Sequence, residues 1–277
     1  MVVVPPAIAA RVPGLSRLAD LLASVRRTRG PSATARLSPG ARLTVDLRDR
    51  IQKLMWLGLY EPASVALLRR LLRCGGTFID VGAHIGYFAV LASATVGPKG
   101  RVYAFEADPE LVEALRANLR PYPWAQTIHT AVMDTPGQSN LWRSTRAGES
   151  GWGSVLRPPD EQREAVGIPG ERLDTLLSGR AMPRPVVLKV DVEGAELRVL
   201  AGAALVLRTA AAVLVEVNPA CLSRDGVSPT ELVAALRQAG FRVWTYPSAG
   251  RGPDDMLLGL REGTSVGRPP VWLNRIS

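Results

Sequence analysis

The sequence predicts an α/β fold: a mostly parallel sheet with helices on both faces, behind a helical N-terminal extension. Three observations carry this expectation. From residue 77 onward, short apolar, β-rich runs alternate with helical segments, as βαβ units require. A glycine-bracketed turn, Gly82 to Gly86, joins the first such run to the first such helix. The chain has 277 residues, 47% of them apolar and 21% charged, enough to bury one sizeable core.

Taken in order, residues 15–27 (LSRLADLLASVRR) place Leu15, Leu18, Leu21 and Leu22 at helical spacing, with arginines elsewhere. Residues 28–41 are rich in Gly, Pro and Ser and read as a linker, which divides the chain into a basic extension at 1–41 and a main domain at 42–277. Residues 62–73 form an amphipathic helix with Pro62 in its first turn, closed by Gly75-Gly76. Strands follow at 77–81, 101–105, 127–132, 186–191 and 213–217, with 241–246 and 256–260 closing the sheet. Helices lie between them at 87–95, 109–119 and 196–207. A last helix opens on the capping box Ser228-Pro229-Thr230-Glu231 and ends at Gly240. Residues 135–172, with Trp142 and Trp152, lack strong periodicity and read as a long loop, a candidate lid over a substrate.

Composition excludes several classes. No window of about 20 predominantly apolar residues exists, so a transmembrane helix is not expected. The first ten residues lack a basic n-region, which argues against a secretory signal. Cys74 and Cys221 cannot build a disulfide framework, and a reduced, cytoplasmic protein is the expectation. His84 and His129 are too few for the usual zinc sites. The net charge of +9 is uneven: residues 1–50 hold nine arginines against three aspartates. That segment reads as a solvated tail or surface helix, or as a contact for an acidic partner, a membrane or a second copy of the chain. No aromatic residue interleaves with its arginines, so nucleic acid is not expected.

The segment Phe78-Ile79-Asp80-Val81-Gly82-Ala83-His84-Ile85-Gly86 is the most informative. A glycine turn between strand and helix lets a ligand approach the backbone and points N–H groups at it. Asp80 lies at the carboxyl end of the strand, where open α/β sheets bind ligands. Glu106 ends the next strand, where a carboxylate can accept both hydroxyls of a ribose. A dinucleotide fingerprint needs G-x-G-x-x-G; here the pattern is D-x-G-x-x-x-G. An aspartate in the first position repels a diphosphate and suits a cation. Charge therefore favours S-adenosylmethionine, with its ammonium and sulfonium groups, over a nicotinamide dinucleotide.

A second constellation is Lys189-Val190-Asp191-Val192-Glu193-Gly194-Ala195-Glu196. Its strand is expected beside the first, with Lys189 and Asp191 on one face. Glu196 reads as a residue near a solvated helix start. Glu216 and Asn218 end the following strand. Asp191, Glu216 and Asn218 thus converge on the substrate end of the cleft, either as a general-base site or as a divalent-cation site of oxygen ligands.

These residues resemble the FkbM-type S-adenosylmethionine-dependent methyltransferases. The matching pieces are GLYEP (58–62), FIDVGAHIGYFAVLA (78–92), GPKGRVYAFEADPE (97–110), ERLDTLL (171–177), VVLKVDVEGAELRVLAGA (186–203) and VLVEVNP (213–219), in the family's order. The resemblance implies a class I methyltransferase (Rossmann-like) sheet and O-methylation of a hydroxyl on a natural product, sugar or glycan. It implies Asp80, Gly82 and Gly86 at the methionine part of the cofactor, Glu106 at its ribose and Asp191 near the reacting methyl group. Glu61, Ala83, His84, Ile85 and Ala107, within the same motifs, complete the expected cofactor contacts. His84 departs from the asparagine common there, although both residue types tolerate turn conformations. The extension at 1–41 falls outside the match.

The expected reaction aligns an acceptor oxygen with the activated methyl group and removes its proton. Asp191, Glu193 and Glu216 are the expected catalytic residues, with Asp191 or Glu193 as base and His84 as a further candidate. Two alternatives stand beside this: a nicotinamide-dependent oxidoreductase on a related sheet, and a non-catalytic cofactor-binding protein acting through its basic segment.

Overall fold

A computed structural model describes residues 30–37, 40–157, 162–247, 256–264 and 273–276. The helix expected at 15–27 lies outside the described residues. Strands β1 (Ser32–Arg36) and β2 (Arg42–Asp46) form an antiparallel hairpin. Ala33, Ala35, Leu43 and Val45 point inward and are buried, while their neighbours face out. The stretch 28–41, read as a linker, therefore contains a strand, and its pairing runs across the 41/42 boundary. Its small inward residues are hidden among turn-forming ones, so the period-two signal is weak. Helices α1 (Arg50–Leu57) and α2 (Pro62–Leu71) follow; Asp49 caps α1 by accepting the Gln52 N–H.

The core is a sheet built on β3 (Thr77–Val81), β4 (Arg101–Glu106), β5 (Ala125–His129), β9 (Val186–Val190) and β10 (Ala210–Glu216), which pair in parallel. β11 (Phe241–Tyr246), β12 (Met256–Arg261) and β13 (Asn274–Arg275) extend it antiparallel. The order is β13-β11-β12-β10-β9-β3-β4-β5. The chain thus runs outward from β3 through β4 to β5, then returns to β3's other side with β9, which creates a switch point at β3.

Side chains on alternate strand positions feed two cores. Phe78, Val102, Ala104 and Val187 pack on one face with the hairpin, α2 and α3 (Tyr87–Val96). Ile79, Val81, Tyr103 and Leu188 pack on the other with α5 (Leu173–Leu176), α6 (Glu196–Ala201), α7 (Ala204–Thr209) and α9 (Pro229–Gln238). Helix α4 (Pro109–Leu119) starts at the Asp108 cap, and Asn118 near its end bonds Thr44 and the Ile85 carbonyl, tying β2 to the glycine turn. The Ser228 capping box opens α9 as expected.

Two expected elements are each divided. The strand read at 127–132 splits at Thr130 into β5 and β6 (Ala131–Val132), and β6 joins a small second sheet beside β8 (Arg163–Glu171), which in turn pairs with β7 (Gly137–Ser144). The helix read at 196–207 breaks at Gly202-Ala203, where a Cβ on Gly202 would lie 2.0 Å from the Met133 carbonyl oxygen. The break falls on a glycine, and the close approach of Met133 admits no larger residue there. The reading of 135–172 as a loop is also corrected. β7 (Gly137–Ser144) and β8 (Arg163–Glu171) form a long antiparallel hairpin whose exposed faces blur the alternation. A short helix, α8 (Pro219–Leu222), follows β10.

Candidate functional site

A cavity of about 200 Å³ lies at the carboxyl ends of β3, β4, β9 and β10. Its floor is the turn after β3. Gly82 has φ +83°, and a Cβ there would lie 1.8 Å from the Asp191 carbonyl oxygen, so only glycine lets the two loops meet. His84 also takes a left-handed conformation, φ 53°. Its backbone N–H donates to Glu106 Oε2 at 2.7 Å, while Glu106 Oε1 accepts the N–H groups of Ala107 and Asp108 at 2.9 and 2.8 Å. A carboxylate has about four acceptor positions, so Glu106 keeps one for a ligand. Burial pushes its pKa up to about 7 against the pull of these three N–H donors.

The opposite wall holds the acidic constellation. Lys189 is 1% exposed; its Nζ lies 2.6 Å from Asp191 Oδ2, 3.9 Å from Glu61 Oε1 and 4.6 Å from the centre of the Phe88 ring. Burial raises the Asp191 pKa, but the Lys189 ammonium and a hydrogen bond with Glu216 outweigh it and hold the carboxyl below its usual value. Glu216 behaves oppositely: burial first, then the charges of Asp191 and Glu193, push it well up. Glu193 takes a left-handed conformation, φ 55°, and accepts the Cys221 thiol at 3.4 Å. Burial and the Asp191 charge raise it to about 7. Glu196 is not at a solvated helix start. It is 1% exposed and folds back to accept the N–H groups of Val192 and Gly194, stapling the loop that presents Glu193.

The segment between β7 and β8 covers the cavity with Ser150, Trp152 and Ser154. The Ser154 hydroxyl donates to the Glu193 carbonyl at 2.8 Å, and Ser150 meets His84 Nε2 at 2.8 Å. Trp152 lines the cavity, whereas Trp142 lies off its wall under the Arg157 guanidinium.

Of the residues singled out in the sequence, Glu61, Gly82, His84, Glu106, Ala107, Asp191, Glu193, Glu216 and Asn218 reach the wall together. Ala83 and Ile85 turn into the core, and Gly86 caps α3. Asp80 lies beneath the turn, 1% exposed, with neither carboxylate oxygen hydrogen-bonded among the described residues. Asp49 and Ser150 were not legible as site residues: the Asp49 carboxylate accepts both the backbone N–H and the hydroxyl of Ser150, 101 positions away. The cap pattern Asp49-x-x-Gln52 was the one available signal.

A sheet with a switch point, a glycine turn outside it and a carboxylate-edged crevice define a methyltransferase-type α/β domain. The sequence profile of the methyltransferase FkbM domain matches residues 80–243, more than half of the chain, which belongs to that family of S-adenosylmethionine-dependent methyltransferases. The chain is 28% identical to the hexuronic acid methyltransferase AglP of Haloferax volcanii over 184 residues, 66% of this chain and 70% of that protein. Among solved structures it is similar to methyltransferase FkbM from Methylobacillus flagellatus, with 16% identity, a TM-score of 0.45 and coverage of 76% of this chain and 54% of that one. It is also similar to fibrillarin from Aeropyrum pernix in complex with S-adenosyl-L-methionine, with 14% identity, a TM-score of 0.45 and coverage of 83% and 94%. Among the described residues no helix is long and apolar enough to cross a membrane.

The site's residues fit this cofactor. Six carboxylates and one histidine line the cavity, with no lysine or arginine among the described lining residues. Such a wall favours a cationic, phosphate-free molecule. Asp191, Glu193 and Glu216 each offer an oxygen within 4.8 Å of the others, a spacing that also accommodates a cation. Within this cluster Asp191 is already paired with the Lys189 ammonium at 2.6 Å.

Proposed function

We propose that this protein transfers a methyl group to a hydroxyl oxygen of an uncharged, sugar-like acceptor. The observation that carries the reading is Glu193. It is a cavity carboxylate with a pKa raised to about 7, beside an Asp191 that Lys189 keeps ionised. A base is most effective when its pKa lies near the working pH, which favours Glu193 over Asp191 for taking the hydroxyl proton. Bound S-adenosylmethionine supplies a methyl group already activated on a sulfonium. Asp191 then acts as a fixed negative charge beside Lys189, while burial and the charges of Asp191 and Glu193 raise the pKa of the neighbouring Glu216. Glu106 offers its remaining acceptor position to the ribose, and the β7–β8 cover keeps water from the reacting atoms.

The similarity to a hexuronic acid methyltransferase supports a sugar acceptor. The wall's negative charge supports an acceptor that turns hydroxyls, not a carboxylate, into the cavity. The same charge weighs against a nicotinamide dinucleotide, whose diphosphate would meet six carboxylates. Isothermal titration with S-adenosylmethionine tests the cofactor assignment: binding is expected, and Glu106→Ala weakens it. A radiolabelled-methyl assay over neutral sugars, uronates and amines tests the acceptor. Transfer to uronates alone, or to nitrogen, would overturn the reading.

A further inference from the structure

We propose that the Asn218 side-chain amide binds the methyl acceptor, donating to an oxygen next to the hydroxyl that is methylated, so that the site selects a vicinal diol. This rests on the acceptor reading above and narrows the class of sugar-like molecule that the site takes.

The helix that follows fixes the orientation of the amide. Asn218 stands two residues after β10 and caps α8, its Oδ1 accepting the Cys221 N–H at 3.3 Å. Only the oxygen of an amide can accept from a backbone N–H, so Oδ1 faces the helix and the NH2 group points away from it. Asn218 lines the cavity. Its Nδ2 has no partner among the described residues and is not one of the buried atoms closed off from solvent, so a molecule in the cavity can reach it.

The hydroxyls of the wall are committed elsewhere. Thr130 donates to the Pro169 carbonyl at 2.9 Å, Ser150 to Asp49 at 2.7 Å and Ser154 to the Glu193 carbonyl at 2.8 Å, and the Tyr60 hydroxyl bonds Glu61. The carboxylates, when ionised, only accept. An uncharged polyol needs both kinds of partner: one to take the proton of the reacting hydroxyl, and one to donate to its other oxygens. In a wall this rich in acceptors, the Asn218 amide supplies two neutral N–H donors.

Its place beside the proposed base sets the geometry. Cys221 holds both groups: its N–H is taken by Asn218 and its thiol by Glu193, at 3.4 Å. Gly194, next to Glu193, runs so close to α8 that a Cβ would stand 2.6 Å from the Cys221 carbonyl oxygen. Amide and carboxylate are thus fixed to one residue, as a fork that fits two adjacent oxygens. The attacked hydroxyl passes its proton to Glu193 as its oxygen bonds the methyl carbon, and the electron pair of the broken S–CH3 bond stays with sulfur. The neighbouring hydroxyl accepts from Asn218. A lone hydroxyl would use one arm of the fork only.

Radiolabelled-methyl assays with methyl hexopyranosides and their monodeoxy analogues test this. With the wild type, deleting the hydroxyl beside the methylated one is expected to lower kcat/KM about tenfold, the scale of one hydrogen bond. That comparison needs no variant. Two substitutions then separate the cap from the donor: serine keeps a capping oxygen and takes the amide away, whereas alanine removes both. N218S is expected to lose about tenfold in kcat/KM on the intact sugar, chiefly through KM, and to stop distinguishing it from the deoxy analogue. Its melting temperature and S-adenosylmethionine affinity stay at wild-type values.

Wild-type kcat/KM in N218S, with impairment in N218A alone, would leave Asn218 as a helix cap and overturn the proposal. So would equal use of the sugar and its deoxy analogues by the wild type, or a matching loss of cofactor affinity in N218S. Methylation of no hydroxyl by the wild type overturns the acceptor reading itself, and this proposal with it.

Discussion

Asp80 and Lys189 stand side by side, in register on β3 and β9, each 1% exposed, where the two parallel halves of the sheet diverge. Strand alternation puts both on the face shared with Phe78 and Val187. One buried ammonium thereby serves Asp191 directly and Glu61 and Asp80 through space. Burial alone would lower the Lys189 pKa, but these three carboxylates hold it above its usual value.

Lys189→Met leaves buried carboxylates without their counterion. A loss of about 3–5 kcal/mol is expected, the usual cost of removing one partner of a buried pair. Urea denaturation checks it, and a change under about 1 kcal/mol would show that the ammonium is dispensable.

Glu193→Gln removes the proposed base while keeping its shape. Turnover is expected to fall by at least about a hundredfold, with cofactor affinity retained. Steady-state rates and calorimetry together check this; unchanged turnover would move the role to another group.

Stability of the cofactor-free protein should fall as pH rises. Burial first raises Asp80, Glu106, Glu193 and Glu196 to about 7, from ordinary values of 3.8 for the aspartate and 4.5 for the glutamates. A raised carboxyl stabilises the folded state fully below its unfolded pKa, and that contribution is lost as pH climbs through the folded value. His84, lowered chiefly by burial from 6.5, acts in the opposite sense below that pH, with Asp49, Asp191 and Asp108 opposing the shift and Lys189 adding to it. Glu61 and Glu216, also raised chiefly by burial, act with these four against one histidine, so a loss of about 2 kcal/mol or more is expected between pH 5 and 8. Melting temperatures across that range that rise instead would refute the sign.

Gly82→Ala drives a methyl group into the Asp191 carbonyl at a backbone conformation foreign to alanine. A destabilisation above about 4 kcal/mol, or a displaced Asp191 loop that no longer binds cofactor, is expected. Wild-type melting and affinity would contradict the close approach.

Dialysis against a chelator should leave methyl transfer intact, because the Lys189 ammonium already pairs with Asp191, the carboxylate a cation would otherwise share with Glu193 and Glu216. Activity that requires added magnesium or manganese would make Asp191, Glu193 and Glu216 a metal site.

Much of this was legible in the residues. The turn from Asp80 to Gly86, the carboxylate at Glu106 and the run from Lys189 to Glu196 are local patterns. Their chemistry follows from residue type and position at a strand end. Strands β3, β4, β9 and β10 are apolar on both faces because helices cover both, so their positions showed as plain apolar runs. The two hairpins leave little trace in the sequence for different reasons: β1 buries only alanines among turn-forming residues, and β7 and β8 are largely exposed.

Tertiary structure alone decided the rest, for one physical reason. Contacts between residues far apart in the chain leave no periodicity behind. The sequence by itself determined the layered sheet, the glycine turn and the acidic character of the crevice. Only the fold brought Ser150 to Asp49 and His84, set Gly202 against Met133, and made Glu193 rather than Asp191 the carboxylate with a pKa near neutrality. That last distinction depends on where a single lysine is buried, and a pKa is set by such surroundings, not by the residue's name.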